Sequence, residues 1–127
     1  MFLKKMLPDL THREMSKEVL AKYREDYPTI ASRKAVRTFP KEVPFDGAPS
    51  RSYAMVTGYI DWIANTDAPM LLLYGDDGIA IKEAEVAWLK DNVSNLQTVD
   101  LGHGKHFLQE THPERIGVEV SKWLATL

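Results

Sequence analysis

The sequence predicts an α/β chain whose strands are confined to its second half. Two observations carry this. Met70-Leu71-Leu72-Leu73-Tyr74 and the run from Leu96 to Leu101 both read as short strands, with a helical segment between them and a helix after, which gives the order β-α-β-α. Before Asp67, apolar residues instead recur at three- and four-residue spacing, the period of helices.

Taken in order, Phe2, Met6 and Leu10 stand at i, i+4 and i+8 and form one apolar stripe on a helix that has no cap in front of it. Ser16 can cap a second helix through Tyr23, with Val19, Leu20 and Tyr23 inward, Lys17, Lys22 and Arg24 outward, and Pro28 closing it. A third short helix follows Ser32. The stretch from Phe39 to Pro49 holds Pro40, Pro44 and Pro49; each fixes its own φ and removes a donor, which predicts an ordered loop. Tyr53, Val56, Ile60 and Ile63 then mark a long helix reaching Asn65, before Pro69.

Met70 to Tyr74 is a continuous apolar run that stops at Gly75-Asp76-Asp77-Gly78, as a strand covered on both faces of a parallel sheet would read. Ile81 to Asn92 is helical, with Ala84, Trp88 and Leu89 on one side. Leu96 to Leu101 alternates, and Gly102-His103-Gly104-Lys105-His106 turns the chain sharply afterwards. Pro113, a favoured first helical residue, opens a last helix that carries Ile116, Val120, Trp123, Leu124 and Leu127 along one face. Two parallel strands joined by a right-handed crossover make only the edge of a sheet, so further strands are expected beside them outside this chain. Ending a sheet there leaves apolar faces open and predicts an association-prone chain.

Composition narrows the function classes. With 127 residues and 44% hydrophobic content the chain is the size of one ordinary domain and can build a core. Sixteen Lys and Arg against eighteen Asp and Glu give a net charge of −2. The signs are interspersed without a basic block, which argues against nucleic acid as a partner. The absence of cysteine excludes disulfides, thiolate metal sites and thiol nucleophiles. The basic start is broken by Pro8 and Asp9 before any apolar core of a leader develops, and no run reaches transmembrane length, so a soluble, cytoplasmic chain with no membrane partner is expected. Oligomerisation is left open.

His106 is the residue most able to carry chemistry. It lies in a glycine-punctuated loop just beyond the carboxyl end of a strand, where open α/β sheets place their sites. Gly102 and Gly104 allow positive φ or close backbone approach, and imidazole suits a general base because it titrates near neutrality. A zinc site of His103, His106 and His112 is disfavoured, since no carboxylate stands at a matching spacing and His112 precedes Pro113 at a helix start. No metal and no cofactor is expected: Gly102-x-Gly104 lacks the third glycine of a dinucleotide fingerprint and follows the last strand. Trp62, Trp88 and Trp123 fall at apolar helical spacings and read as packing anchors.

Four stretches carry a resemblance: Phe39-Pro40-Lys41-Glu42-Val43-Pro44 with Gly47 and Pro49; Leu71 to Gly78; Thr98-Val99-Asp100-Leu101-Gly102; and His106-Phe107-Leu108-Gln109-Glu110 with Ile116-Gly117. Over its whole length the chain is similar to the C-terminal part of the haloalkane dehalogenases, within the α/β-hydrolase fold. The resemblance implies that residues 1–66 are the C-terminal part of a helical cap region with a connecting helix, and 67–127 the last strand-helix-strand-helix of the main domain.

In such enzymes an aspartate displaces the halide and forms an alkyl-enzyme ester, which water then hydrolyses. The position of His106 is that of the histidine that activates this water. The aspartate, its neighbouring tryptophan and the asparagine that hold the halide all lie upstream of this chain in the family pattern, so an upstream part of the same hydrolase is implied as partner. Gly78 stands where many relatives place the triad aspartate. That favours the subgroup whose acid is an upstream glutamate and leaves Asp76 and Asp77 as minor candidates. Phe2, Met6, Leu10, Pro40, Val43, Ile79, Ala80 and Phe107 match positions that line the pocket in relatives. An apolar pocket suits a small halogenated alkane. Lys105 beside the base departs from the usual apolar residue. Other readings are a non-catalytic remnant or binding module of the same fold, or a relative of the epoxide hydrolase or coelenterazine luciferase type.

Overall fold

The computed structural model describes residues 5–11 and 13–127. The chain forms two compact units: Met1–Met15 with Asp67–Leu127, and Ser16–Thr66. The predicted stripe residue Phe2, like His12, lies outside the described residues.

In the first unit, a short helix α1 (Leu7–Asp9) leads the described part. Its burial differs from the expected stripe. Leu7 is fully buried, whereas Met6 is 45% exposed and Leu10 half-buried. A helix this short presents one residue to the interior, so the i, i+4 pattern does not select the buried position. Thr11 is also buried, its hydroxyl 3.0 Å from the carbonyls of both Pro8 and Arg13.

Strand β1 (Met70–Tyr74) pairs in parallel with β2 (Leu96–Asp100), register Met70 with Leu96 through Tyr74 with Asp100. Both strands match their expected ranges to within a residue. The crossover between them is helical over Glu83–Asn92. This segment starts two residues later than expected because Lys82 is extended and its N–H is taken by the Glu85 carboxylate at 3.0 Å. Its inward face is also corrected: Val86 is buried and Leu89 half-buried, with Val93 buried just beyond, while Ala84 is exposed and Trp88 is 41% exposed. Val86, Leu89 and Val93 are the set that faces the sheet at i, i+3 and i+7. The chain then passes through a short helical turn, Leu108–Thr111, into the long Pro113–Leu124 helix. Ile116, Val120 and Trp123 of that helix are half-buried as predicted; Leu124 and Leu127, at the chain end, are 56% and 66% exposed.

The regular elements of the second unit are all helices. Numbered in chain order, helix α2 (Lys17–Glu25) begins as expected at Ser16, whose Oγ accepts the Val19 N–H at 3.2 Å, with Val19, Leu20 and Tyr23 half-buried. Helix α3 (Lys34–Glu42) corrects the loop predicted from Phe39, since it continues through Pro40. The φ of proline suits a helix, and only one donor is lost within the last turn, with two residues left to run. Helix α3 stops at Val43, extended with ψ 119° as a residue before proline must be. A tight turn follows. Phe45 and Ala48 exchange two backbone bonds of 2.9 Å, and both central residues have positive φ, Asp46 at 49° and Gly47 at 83°, which makes the turn of the Asp-Gly type. Ala48-Pro49 is cis.

Helix α4 (Ser50–Asn65) covers the range expected. Of its apolar stripe only Ile63 is half-buried; Tyr53, Val56 and Ile60 are exposed, as is Trp62, so Trp62 is no packing anchor within its unit. The crossover helix is hereafter α5, Leu108–Thr111 α6, and Pro113–Leu124 α7. Among the described residues no helix is long and apolar enough to cross a membrane.

Candidate active site

The loop from Gly102 to Phe107 leaves the carboxyl end of β2 and lies down against the carboxyl end of β1. Gly102 enters it with φ 78°, a backbone that only glycine adopts without strain. Gly104 is needed for a different reason: it is buried, and a Cβ there would collide with the Leu108 side chain. The same holds for Gly75, directly after β1. A Cβ on it would come 2.7 Å from the Gly104 carbonyl oxygen, 3.0 Å from Leu108 Cδ2 and 3.2 Å from the Gly102 oxygen. Main chain rests on main chain where the two strands end, so the loop has little room to shift.

Polar contacts add to this. The Asp76 N–H donates to the Gly102 carbonyl at 3.1 Å, and the Gly104 N–H donates to Asp76 Oδ1 at 3.3 Å. His103 Nδ1 lies 3.5 Å from the same carboxylate oxygen, and both side chains are largely exposed. The pair is therefore a weak electrostatic contact and a modest tether. Asp100 Oδ1 accepts the Gly102 N–H at 2.7 Å, closing a side-chain turn at the strand end. His112 Nε2 donates to the His103 carbonyl at 2.9 Å, which requires a proton on Nε2. His112 is thus half-buried and engaged in the loop.

His106 follows this anchored stretch with its side chain exposed and its ring edge-on to Phe107, centroids 4.8 Å apart at 81°. Asp76, a minor candidate for the orienting acid, is engaged by Gly104 and His103 instead. Among the described residues no group of three His, Asp or Glu is arranged to hold a metal.

The structure brings several of the expected pocket residues to this loop. The Phe107 N–H donates to the Leu10 carbonyl at 3.3 Å, and Lys105 Nζ donates to the Asp9 carbonyl at 3.0 Å. These bonds tie the Met6–Leu10 segment to the histidine loop. The lysine that departs from the family pattern therefore has its ammonium on a backbone carbonyl. Ile79, 51% exposed, and exposed Ala80 lie in the connection after β1, where a Cβ on Gly78 would collide with the Ile81 carbonyl. Pro40 and Val43 belong to the other unit, in the last turn of α3 and at its end. Reading the sequence alone missed the steric roles of Gly75 and Gly78 and the loop contacts of Asp76 and His112. The glycine at the end of β1 was the available signal.

The chain is 32% identical over 126 residues to a haloalkane dehalogenase of Agrobacterium fabrum strain C58, covering 99% of this chain and 41% of that protein. It is 33% identical over 123 residues to one of Mesorhizobium japonicum, covering 97% and 40%. Among solved structures, the haloalkane dehalogenase DbeA from Bradyrhizobium elkani USDA94 superposes with TM-score 0.92 at 33% identity, over 98% of this chain and 43% of that one. DatA from Agrobacterium tumefaciens C58 gives 0.88 at 32%, over 98% and 43%. The chain spans about 40% of the length of the curated relatives it matches. No sequence-family profile matches it. With the parallel β1–β2 pair and its flanking helices superposing on these structures along nearly the whole chain, the chain has the fold of the C-terminal part of the α/β-hydrolase haloalkane dehalogenases to which it is similar.

Proposed function

We propose that the chain supplies the water-activating base and part of the pocket for hydrolysis of haloalkanes to alcohol and halide. One observation carries the reading: His106 stands exposed on a glycine-anchored loop at the strand ends, in a chain similar throughout to haloalkane dehalogenases. An aspartate on polypeptide upstream of this chain attacks the halogen-bearing carbon; the carbon–halogen bond breaks, halide leaves with the electron pair, and an alkyl ester forms. His106 then takes a proton from water, the hydroxide adds to the ester carbonyl, and collapse releases the alcohol and restores the carboxylate. The halide-holding residues and the acid that orients His106 also belong to the upstream part.

In this reading residues 1–66 complete the helical cap and 67–127 the main domain. By resemblance, Phe2, Met6, Leu10, Pro40, Val43, Ile79, Ala80 and Phe107 match positions that line the pocket in relatives, and an apolar lining of that kind strips water from an attacking carboxylate. The substrates are a small halogenated alkane and water, without a cofactor, in the cytoplasm.

The test is halide release from 1,2-dibromoethane. The purified 127-residue chain alone is expected to release none, and steady bromide production by it would defeat the assignment of the nucleophile to upstream polypeptide. In the complete enzyme, His106→Ala should give one equivalent of halide and then stop with the ester trapped. Continued turnover would show that His106 is not the base.

A further inference from the structure

We propose that Arg115 is a positioning residue for His106, holding the end of β2 and the start of the base loop through a two-pronged guanidinium clamp. The inference deepens the reading of His106 as the base and rests on it. Arg115 Nη1 donates to the Leu101 carbonyl at 2.9 Å and Nη2 to the Asp100 carbonyl at 2.6 Å. His112, three residues earlier, takes another carbonyl of the loop, that of His103, at 2.9 Å. The start of α7 thus grips three of the four carbonyls from Asp100 to His103, while Asp76 N–H takes the fourth, that of Gly102, from the β1 side.

The placement of the charge supports a specific role. Arg115 is the third residue of α7, in the turn where a helix disfavours cations and where Glu114 is the ordinary kind of occupant. A guanidinium stands there although the helix alone would favour an acid, and its planar fork matches two successive carbonyls as a lysine ammonium does not. From Leu101 the chain has only four residues to His106, two of them glycines, so displacement of the strand end is passed directly to the imidazole.

The test uses the complete enzyme with 1,2-dibromoethane. Arg115→Met should keep the first equivalent of halide at its normal rate and KM, slow ester hydrolysis about tenfold, as a displacement of a fraction of an ångström does, and speed amide exchange across Gly102–His106. Arg115→Lys should recover part of the hydrolysis rate. Unchanged hydrolysis in Arg115→Met, with or without faster exchange, overturns the inference, as does equal loss of the halide burst and of hydrolysis. If Arg115→Met does not fold, Arg115→Gln, which keeps a donor and loses the fork, is read in the same way. His106→Ala separates the two claims: if that variant still turns over, the base assignment fails, while the exchange arm still reports whether Arg115 holds the loop.

Discussion

Gly75→Ala probes the close packing on which the site geometry depends. The added Cβ would fall about 0.7 Å short of ordinary van der Waals separation from the Gly104 carbonyl oxygen, and it would also crowd the Gly102 oxygen. Leu108 can rotate away, but the two carbonyls are backbone and move only if the whole loop moves. Overpacking of this kind costs about 1–3 kcal/mol. Alanine restricts the unfolded chain and returns about 0.4–1 kcal/mol, leaving a net destabilisation of about 1–2 kcal/mol. The loop that lifts carries His106, and misplacement by about 1 Å costs near a hundredfold in rate, so with His106 as the proposed base, ester hydrolysis by the complete enzyme should fall by about ten- to a hundredfold. Urea denaturation measures the first quantity and single-turnover halide and alcohol release the second. Gly58→Ala is the control. It lies in α4 with nothing within 4 Å of the added Cβ, and it should gain about 1 kcal/mol from helix propensity. A Gly75→Ala variant as stable and as active as its parent would refute the reasoning.

Leu7→Ala should cost about 2–5 kcal/mol, because Leu7 is 0% exposed and its removal leaves a cavity; a loss under about 1 kcal/mol by urea titration would show that the site collapses. Ser16→Ala should destabilise α2 by about 1 kcal/mol through loss of its cap, read by amide exchange at Val19. The Glu18 carboxyl is held below the usual carboxylate range, first by the backbone N–H of Glu18 and then by the Ser16 hydroxyl. A depressed pKa contributes stability that is present above the unfolded value and lost as pH falls through the folded one. The start of α2 should therefore fray on acidification, and Glu18→Gln should remove that pH dependence. Gly47→Ala should cost about 1 kcal/mol from backbone strain alone, since φ is 83° and the surrounding space is open. A cost near zero would mean that the turn adopts another form.

The strands, α4 and the start of α7 were legible because each depends on local information. Met70–Tyr74 is an unbroken apolar run bounded by proline and glycine, and Pro113 marks a helix start by its own φ. Pro40 misled for the converse reason. A proline signals a break when read locally, yet within the last turn of a helix it forfeits one bond and nothing more. The inward face of α5 was misassigned for lack of a neighbour to choose between overlapping stripes. Trp88 and Val86 lie two residues apart, and contact with β2 selects Val86.

The glycine-bracketed loop that carries His106 could be recognised from residue types and order, because the tolerance of glycine for positive φ, used at Gly102, is a property of a single residue. So could the α/β order, which periodicity alone determines. The hold on that loop belonged to tertiary structure. Arg115, His112, Asp76 and Gly75 are ordinary helix-start or turn residues along the chain, and only the folding of β1 beside β2, with α7 starting near their carboxyl ends, brings their donors and their missing side chains against the loop backbone. Contacts between residues far apart in sequence depend on where elements pack, and no local pattern encodes that placement.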